Sequence, residues 1–206
     1  RGIILGGLDW KRRPVDQDSP HTYAMAVLLD LFPEHHAGFA ARVLLPFVAG
    51  DGSHPVRPSP FFTYYVLEAL KKLGYDAEVV DCVRRWWGDM VDRGLSTCEE
   101  VWNAQPGEWS LCHAWSAHPI VHLANAVLGI RQTAPAWREI LFRPALFSAG
   151  SARGSVPTPN GPVSSEWGPV RDGVRVRLRL PKGVSARVEL PGVRAPHVRG
   201  GATWTL

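Results

Sequence analysis

The chain has 206 residues, 45% apolar and 20% charged, which is enough apolar material for one large or two small cores. No apolar run reaches the ~20 residues that would carry a helix across a bilayer. The net charge of +4 is modest, and three cysteines without CxxC spacing argue against a disulfide framework and for a reducing compartment.

The chain opens on Arg1 rather than Met, and RGIILGGLDW reads like the interior of a longer protein. The absence of a signal-peptide pattern therefore leaves the compartment open. Residues 3–8 form a short apolar run of either type, and DWKRRPVDQD is loop-like. Ser19-Pro20 predicts a helix start, with serine at the N-cap and proline at the first helical position, where its missing N–H costs nothing. The following HTYAMAVLLDLF is apolar nearly all round, as in a helix buried on most faces. Pro33 interrupts it and starts EHHAGFAARVLLPF, with Glu34 suited to the positive end of a helix. A polar loop, AGDGSHPVRPS, leads to a second Ser-Pro start at Ser59-Pro60. That helix, FFTYYVLEALKKL, stops at Gly74 with lysines in its last turn. DAEVVDCVRRWWGDMVDRG is amphipathic and closes at Gly94. Residues 95–117 follow, and LCHAWSAHPIVHLANAVLG reads as a further, heavily apolar helix ending at Gly129.

SPHTYAMAVLLDLF and SPFFTYYVLEALKKL resemble one another about forty residues apart, which predicts a repeat of helical hairpins. The more apolar helices begin near Pro20, Pro60 and Ser110, and more amphipathic ones alternate with them. Long loops lead into the apolar set and short loops lead out. This pattern fits an α/α toroid with inner and outer rings, its long loops gathered on one rim. After Gly129 the character changes to short β-type runs punctuated by Asn160-Gly161, Asp172-Gly173 and Lys182-Gly183, as in antiparallel sheets. In GVRVRLRL, Val174, Val176, Leu178 and Leu180 alternate with Arg175, Arg177 and Arg179, giving a half-buried strand with arginine on its wet face. Neither stacking aromatics nor a known motif accompanies these arginines, so a nucleic-acid partner is not expected. The predicted fold is mainly α with a β C-terminal part. Residues 1–137 are expected to form part of an incomplete (α/α)6 toroid and residues 138–206 a small antiparallel β-sandwich.

The candidate site is LSTCEEVWNAQPGEWSLCHAWSA, residues 95–117. Its first two-thirds lack apolar periodicity and contain Pro106-Gly107, so it reads as a long loop, and long loops in compact domains are usually functional or disordered. A disordered loop would be poor in aromatics. Tryptophan with carboxylate suits a sugar, whose C–H faces pack on indole while its hydroxyls meet carboxylate oxygens. The bland alternative is that these tryptophans fill gaps between helix ends.

These segments resemble the α-L-rhamnosidases of glycoside hydrolase family 78. The resemblance is carried by Thr97-Cys98-Glu99-Glu100-Val101-Trp102, by Ser110-Leu111-Cys112-His113-Ala114-Trp115-Ser116, and by the strands at Leu141-Phe142-Arg143-Pro144 and Gly154–Gly161. It implies an inverting glycosidase for terminal α-L-rhamnosides; the alternatives are a non-catalytic carbohydrate-binding or structural remnant of that fold, and a toroid glycosidase for a different sugar. No metal or other cofactor is expected. Glu100 would be the general base that activates water, and His113 would hydrogen-bond a sugar hydroxyl. The family's general acid lies upstream of this segment, in a stretch this chain does not contain. Inverting pairs stand about 6.5–9.5 Å apart on opposite faces of the sugar, so neighbouring Glu99 and Glu100 are not expected to be that pair. Where the family motif has tryptophan this chain has Glu99, which either perturbs Glu100 or pairs with a rim arginine. Both glutamates remain candidates, with Glu100 preferred.

Trp102 and Trp109 are candidate stacking residues or packing residues, and Glu99 a candidate substrate contact. Trp115 is expected in the core, and Trp86 and Trp87 far from the rim, at least one in the core or a domain interface. For His113 the bland alternative is a helix cap. His118 and His122 have metal-ligand spacing, but Pro119 lies between them and no third ligand is evident. Cys112 and His113 are neighbours that a helix would point about 100° apart, which disfavours a thiol–imidazole couple.

Overall fold

The computed structural model describes residues 7–8, 11–15, 18–52, 56–146, 150–190, 197–200 and 203–205. Of the apolar run at residues 3–8, only Gly7–Leu8 (β1) is described; it pairs antiparallel with Pro14–Val15 (β2). The chain divides into two compact units, Arg1–Pro119 and Ile120–Leu206.

In the first unit, α1 (Pro20–Leu28) and α4 (Pro60–Lys72) start at the two Ser-Pro pairs. Ser59 Oγ accepts the Phe62 N–H at 3.3 Å, closing one open donor at the helix start. α5 (Asp76–Asp92) follows with Asp76 and Glu78 in its first turn. Residues 33–49 are helical but not one uniform helix. A 3₁₀ turn at Pro33–His35 leads to α2 (His36–Phe39), a π turn at Ala40–Leu44, and α3 (Leu45–Ala49). Pro46 supplies the reason: it has no N–H to give the Arg42 carbonyl, and its ring would crowd that oxygen. Widening the turn, with the Leu45 N–H reaching Ala40 O, makes the room.

α1 packs on α4, the 40–49 stretch packs on α5, and α4 also meets the 3₁₀ turn at Ala114–Ala117. Tyr23, Phe39, Leu44, Val66, Leu67 and Leu70 fill the core between them. Helix C-termini of the first hairpin are capped by cations from the second. Lys72 Nζ donates to Val27 O at 2.9 Å and Leu28 O at 3.3 Å at the end of α1. Arg85 donates to Val48 O and Ala49 O at the end of α3, where Trp86 Nε1 also reaches Val48 O.

The helix expected over residues 111–129 is shorter and less regular than its apolarity suggests. Residues 110–113 are not helical, bending at Leu111 and Cys112 before an extended His113, and helical structure begins with the Ala114–Ala117 turn, then α6 (Pro119–His122) and a π turn at Leu123–Val127. The backbone of residues 110–113 is bonded elsewhere, as described below, and so is withdrawn from the helix.

The second unit carries β3 (Ile130–Gln132), β4 (Glu139–Phe142), β5 (Ala152–Val156), β6 (Val163–Val170), β7 (Gly173–Arg179), β8 (Ser185–Val188), β9 (His197–Arg199) and β10 (Thr203–Thr205). They form two four-stranded sheets, ordered β10-β7-β6-β5 and β3-β4-β8-β9. Every pairing is antiparallel except β4 with β8, which is parallel. After β4 the chain builds three strands of the other sheet and returns at Pro181–Gly183, a crossover long enough for parallel entry. Val163, Trp167, Val176 and Leu178 from one sheet and Ile130, Ile140, Phe142 and Val188 from the other share one core. Because β3 pairs with β4, residues ahead of 138 already belong to these sheets. The β6–β7 turn is Arg171-Asp172, with Gly173 the first paired strand residue.

Candidate active site

Gly94, at φ +79°, ends α5 in the left-handed conformation and turns the chain into residues 95–117. This stretch is closed upon itself. The Glu100 N–H donates to Ser110 O at 2.9 Å, the His113 N–H to Cys98 O at 2.8 Å, and Thr97 Oγ1 to Leu111 O at 2.5 Å. Between the two arms, Asn103 adopts φ +59°, and a turn at Gln105-Pro106-Gly107-Glu108 is closed by the Glu108 N–H on Gln105 O at 3.1 Å. Proline at its second position and a positive-φ glycine at its third suit that turn.

The two neighbouring glutamates meet opposite environments. Glu99 points inward and is fully buried. Arg93, from the end of α5, grips both its oxygens, and the buried Ala104 N–H donates to Oε2 at 2.8 Å. Arg93 also donates to Asp89 at 2.8 Å. The hydrogen bonds to Glu99 and, less so, to Asp89 raise the Arg93 pKa above its ordinary value. The arginine pairing anticipated for Glu99 is thus present, and its oxygens are occupied by the protein. Glu100 points the other way and is 36% exposed. Its Oε2 accepts only the Ser110 N–H, at 3.3 Å, and lies 3.9 Å from His113 Nδ1. That separation is beyond a hydrogen bond, so the two interact by charge only when the imidazole is protonated. Glu100 thus presents a partly exposed carboxylate, whereas both oxygens of Glu99 are held by protein donors.

His113 is not a helix cap: its side chain caps nothing at the Ala114–Ala117 turn. Its ring stands edge-on to Trp115, with centroids 5.5 Å apart. Trp115 is 69% exposed, contrary to its expected core position. The reason is local: a 3₁₀ turn beginning at Ala114 has three residues per turn, and it is Ser116 that it buries. Phe61, in the first turn of α4, lies 5.8 Å from the Trp115 ring and is also exposed. Phe61 and Trp115 form an aromatic surface next to His113 that the sequence reading missed. The available signal was Pro60 at a helix start, which puts Phe61 in the turn nearest the loops.

Trp109 is half exposed. Trp102 lies among protein groups: its Nε1 donates to Pro58 O at 2.7 Å, and Trp86 and Trp87 approach at 4.8 and 5.1 Å. The Arg57 guanidinium sits 3.8 Å over the Trp86 ring and 5.4 Å from that of Trp102. Burial lowers the Arg57 pKa below its usual value, and Asp89 opposes that. Trp86 and Trp87 are therefore beside this loop, not remote from it. Trp87 is buried and donates from Nε1 to Ser116 O at 2.8 Å. His118 Nε2 is bonded to Pro60 O at 2.8 Å. Among the described residues no three His, Cys, Asp or Glu side chains are grouped to hold a metal.

Residues 129–203 match the family model of the bacterial α-L-rhamnosidase C-terminal domain. A curated relative, the α-L-rhamnosidase of Alteromonas sp. (strain LOR), is 23% identical over 189 residues, covering 85% of this chain and 20% of the relative. Among solved structures, native α-L-rhamnosidase from Aspergillus terreus superposes with a TM-score of 0.77 at 20% identity, over 97% of this chain and 25% of that one. Streptomyces avermitilis α-L-rhamnosidase complexed with L-rhamnose gives 0.75 at 20% identity, over 98% and 22%. Together these matches support a rhamnosidase-like C-terminal segment. The chain spans about a fifth to a quarter of the length of these relatives.

Proposed function

We propose that this chain is part of an inverting glycosidase that cleaves terminal α-L-rhamnosides, with Glu100 as the base that activates water. The observation that carries this reading is the opposite fate of the two adjacent glutamates. Glu99 is locked by Arg93 and Ala104, whereas Glu100 offers an open carboxylate beside His113. His113 would bond a ring hydroxyl, Trp109 would stack on a sugar, and Trp102 would back the site wall. Glu99 would anchor the loop instead of touching substrate. The proton donor for the leaving oxygen, required about 6.5–9.5 Å from the base, would come from outside these residues.

In the same reading residues 1–137 contribute helices to an (α/α)6 toroid. The contacts of α1 with α4, and of α4 with residues 114–117, would be inner-ring contacts, and α3 with α5 an outer-ring contact. Residues 138–206 would form a β-sandwich domain, to which β3, ahead of that boundary, adds an edge strand. The test is hydrolysis of an aryl α-L-rhamnoside by the complete gene product, with the first-formed anomer followed by NMR. The expected result is β-L-rhamnose first, and a loss of about 10²–10⁴ in kcat for Glu100→Gln. Activity unchanged by that substitution would overturn the base assignment, and α-L-rhamnose as first product would overturn inversion.

A further inference from the structure

The β10-β7-β6-β5 sheet has one face in the core and one in solvent, and its solvent face is unusually one-signed. Register places Arg153 of β5, Glu166 of β6 and Arg177 of β7 side by side in one row. Arg175 stands opposite Gly168, and Arg179 opposite Ser164. Four guanidinium groups thus share the exposed face with one carboxylate. That carboxylate, Glu166, comes only to 3.9 Å of Arg177, and both residues of the pair are about half exposed. Among the described residues Arg153, Arg175 and Arg179 meet no carboxylate. The row Arg153-Glu166-Arg177 supplies favourable cross-strand pairs, whereas Arg175 and Arg179 face only Gly168 and Ser164 across the strands, so the guanidinium charge on this face exceeds what the sheet itself matches.

Surface shape adds to the charge. Two shallow hollows of about 370 and 410 Å³ run over this face and share Arg153, Glu166 and Arg177 as walls. Gly168 lacks a side chain at the row beside Arg175, which leaves the first hollow open there. Alternate residues on a strand stand ~6.8 Å apart, so Arg175, Arg177 and Arg179 form a straight ladder of forked donors. Such a ladder fits carboxylates repeated along an extended chain, since guanidinium groups bind planar carboxylates by paired hydrogen bonds. The one aromatic residue lining either hollow, Trp167, is buried with its Nε1 on Val127 O, so neither hollow offers an open ring of the kind that holds single-stranded nucleic acid.

We propose that this face binds an acidic polysaccharide, a chain of uronate sugars, and so gives the second unit a hold on polymeric substrate. The choice of a carbohydrate polyanion rests on the rhamnoside reading above; the choice of an anion rests on the sheet alone. The experiment measures binding of the 206-residue chain to polygalacturonate, to its fully methyl-esterified form, and to duplex DNA, at low and high salt. Polygalacturonate should bind, weaken steeply with salt, and exceed both the ester and DNA. The triple variant Arg175→Ser/Arg177→Ser/Arg179→Ser should bind roughly tenfold more weakly. A control removing three charges elsewhere, Arg12→Ser/Arg84→Ser/Arg138→Ser, should bind within about twofold of the parent.

Glu166→Gln, which removes the lone carboxylate, should tighten binding and gives an opposite-signed readout if the triple variant does not fold. Equal binding to the ester, equal loss in the control, or no gain with Glu166→Gln would overturn the proposal. Tighter binding to DNA than to polygalacturonate would replace the polysaccharide with a nucleic acid. Because none of these readouts involves hydrolysis, they can fail while the rhamnosidase reading stands, and the reverse.

Discussion

The two units handle polar chemistry in opposite ways. In the sheets, strand alternation sorts it: β7 buries Val176 and Leu178 and exposes Arg175, Arg177 and Arg179, of which Arg177 comes to 3.9 Å of Glu166. In the helical unit, several polar groups are each met by a specific partner. Glu99 is held by Arg93, Tyr23 donates to Asp18 at 2.6 Å and accepts from Arg42 at 2.8 Å, and His118 is tied to Pro60. The difference follows from geometry. A strand presents two faces by default, whereas a closed loop must place each charge by a specific partner. On the proposed reading, function and stability would be separable between Glu99 and Glu100, although they are adjacent.

The sharpest break in that comparison is Glu100→Gln. Its carboxylate makes one weak hydrogen bond, so the melting free energy of the chain should stay within about 0.5 kcal/mol, while turnover by the complete gene product falls by about 10²–10⁴. A large loss of stability would show that Glu100 is structural and would collapse the distinction from Glu99.

In the second unit only backbone geometry should have effects of comparable size. Gly129 adopts φ +74°, and a Cβ placed on it would come within 2.3 Å of Pro144 N. The Arg143 N–H donates to Gly129 O at 2.9 Å, so the two strands cannot simply part. Gly129→Ala should cost about 3 kcal/mol, combining left-handed strain with overpacking. Chemical denaturation reads it directly, and a change below about 1 kcal/mol would mean the approach of Pro144 relaxes freely.

Glu99→Gln should be smaller but opposite in character to Glu100→Gln. It leaves Arg93 without its buried counter-charge, yet Arg93 is one-third exposed and can turn to water. The loss should be about 2 kcal/mol, and any loss of turnover should be partly restored at lower temperature, where the loop is populated. A double-mutant cycle with Arg93→Ala should show coupling; additive effects would deny the clamp.

What was legible in the sequence tracks which interactions are local. α1, α4 and α5 were readable because their caps and stops, Ser19-Pro20, Ser59-Pro60, Gly74 and Gly94, lie within a turn of the ends they set. β7 was readable from alternation. The π turn at Ala40–Leu44 was not, although Pro46 marked the place where an ordinary helix could not continue. The apolarity of residues 111–113 is helical in character, but the Glu100 N–H and Cys98 O, ten and fifteen residues back from the groups they bind, hold their backbone out of the helix. Trp115 was misplaced by reading them as helix. For the glutamates, adjacency in the sequence does not say which one faces inward; Arg93, arriving from the end of α5, decides it.

The smallest expected effect concerns His118, which packs edge-on against Trp87 and Tyr64 at 4.9 and 5.5 Å. Burial, the largest influence, pushes its pKa below the ordinary 6.5; the bond to Pro60 O opposes this and nearby Lys71 adds to it. Burial lowers His21 in the same direction. Both rings thus stay neutral in the folded helical unit at a pH where the unfolded chain already binds protons. Stability should be level above about pH 6.5 and decline as pH falls below it, until the folded-state pKa values are reached. Melting at pH 7.5 and 5.5 checks this, with His118→Gln expected to shrink the difference. A melting temperature that rises toward pH 5.5 would mean that the ring gains a carboxylate partner on folding, and that the polar groups of this unit are not each matched as the clamp at Glu99 suggests.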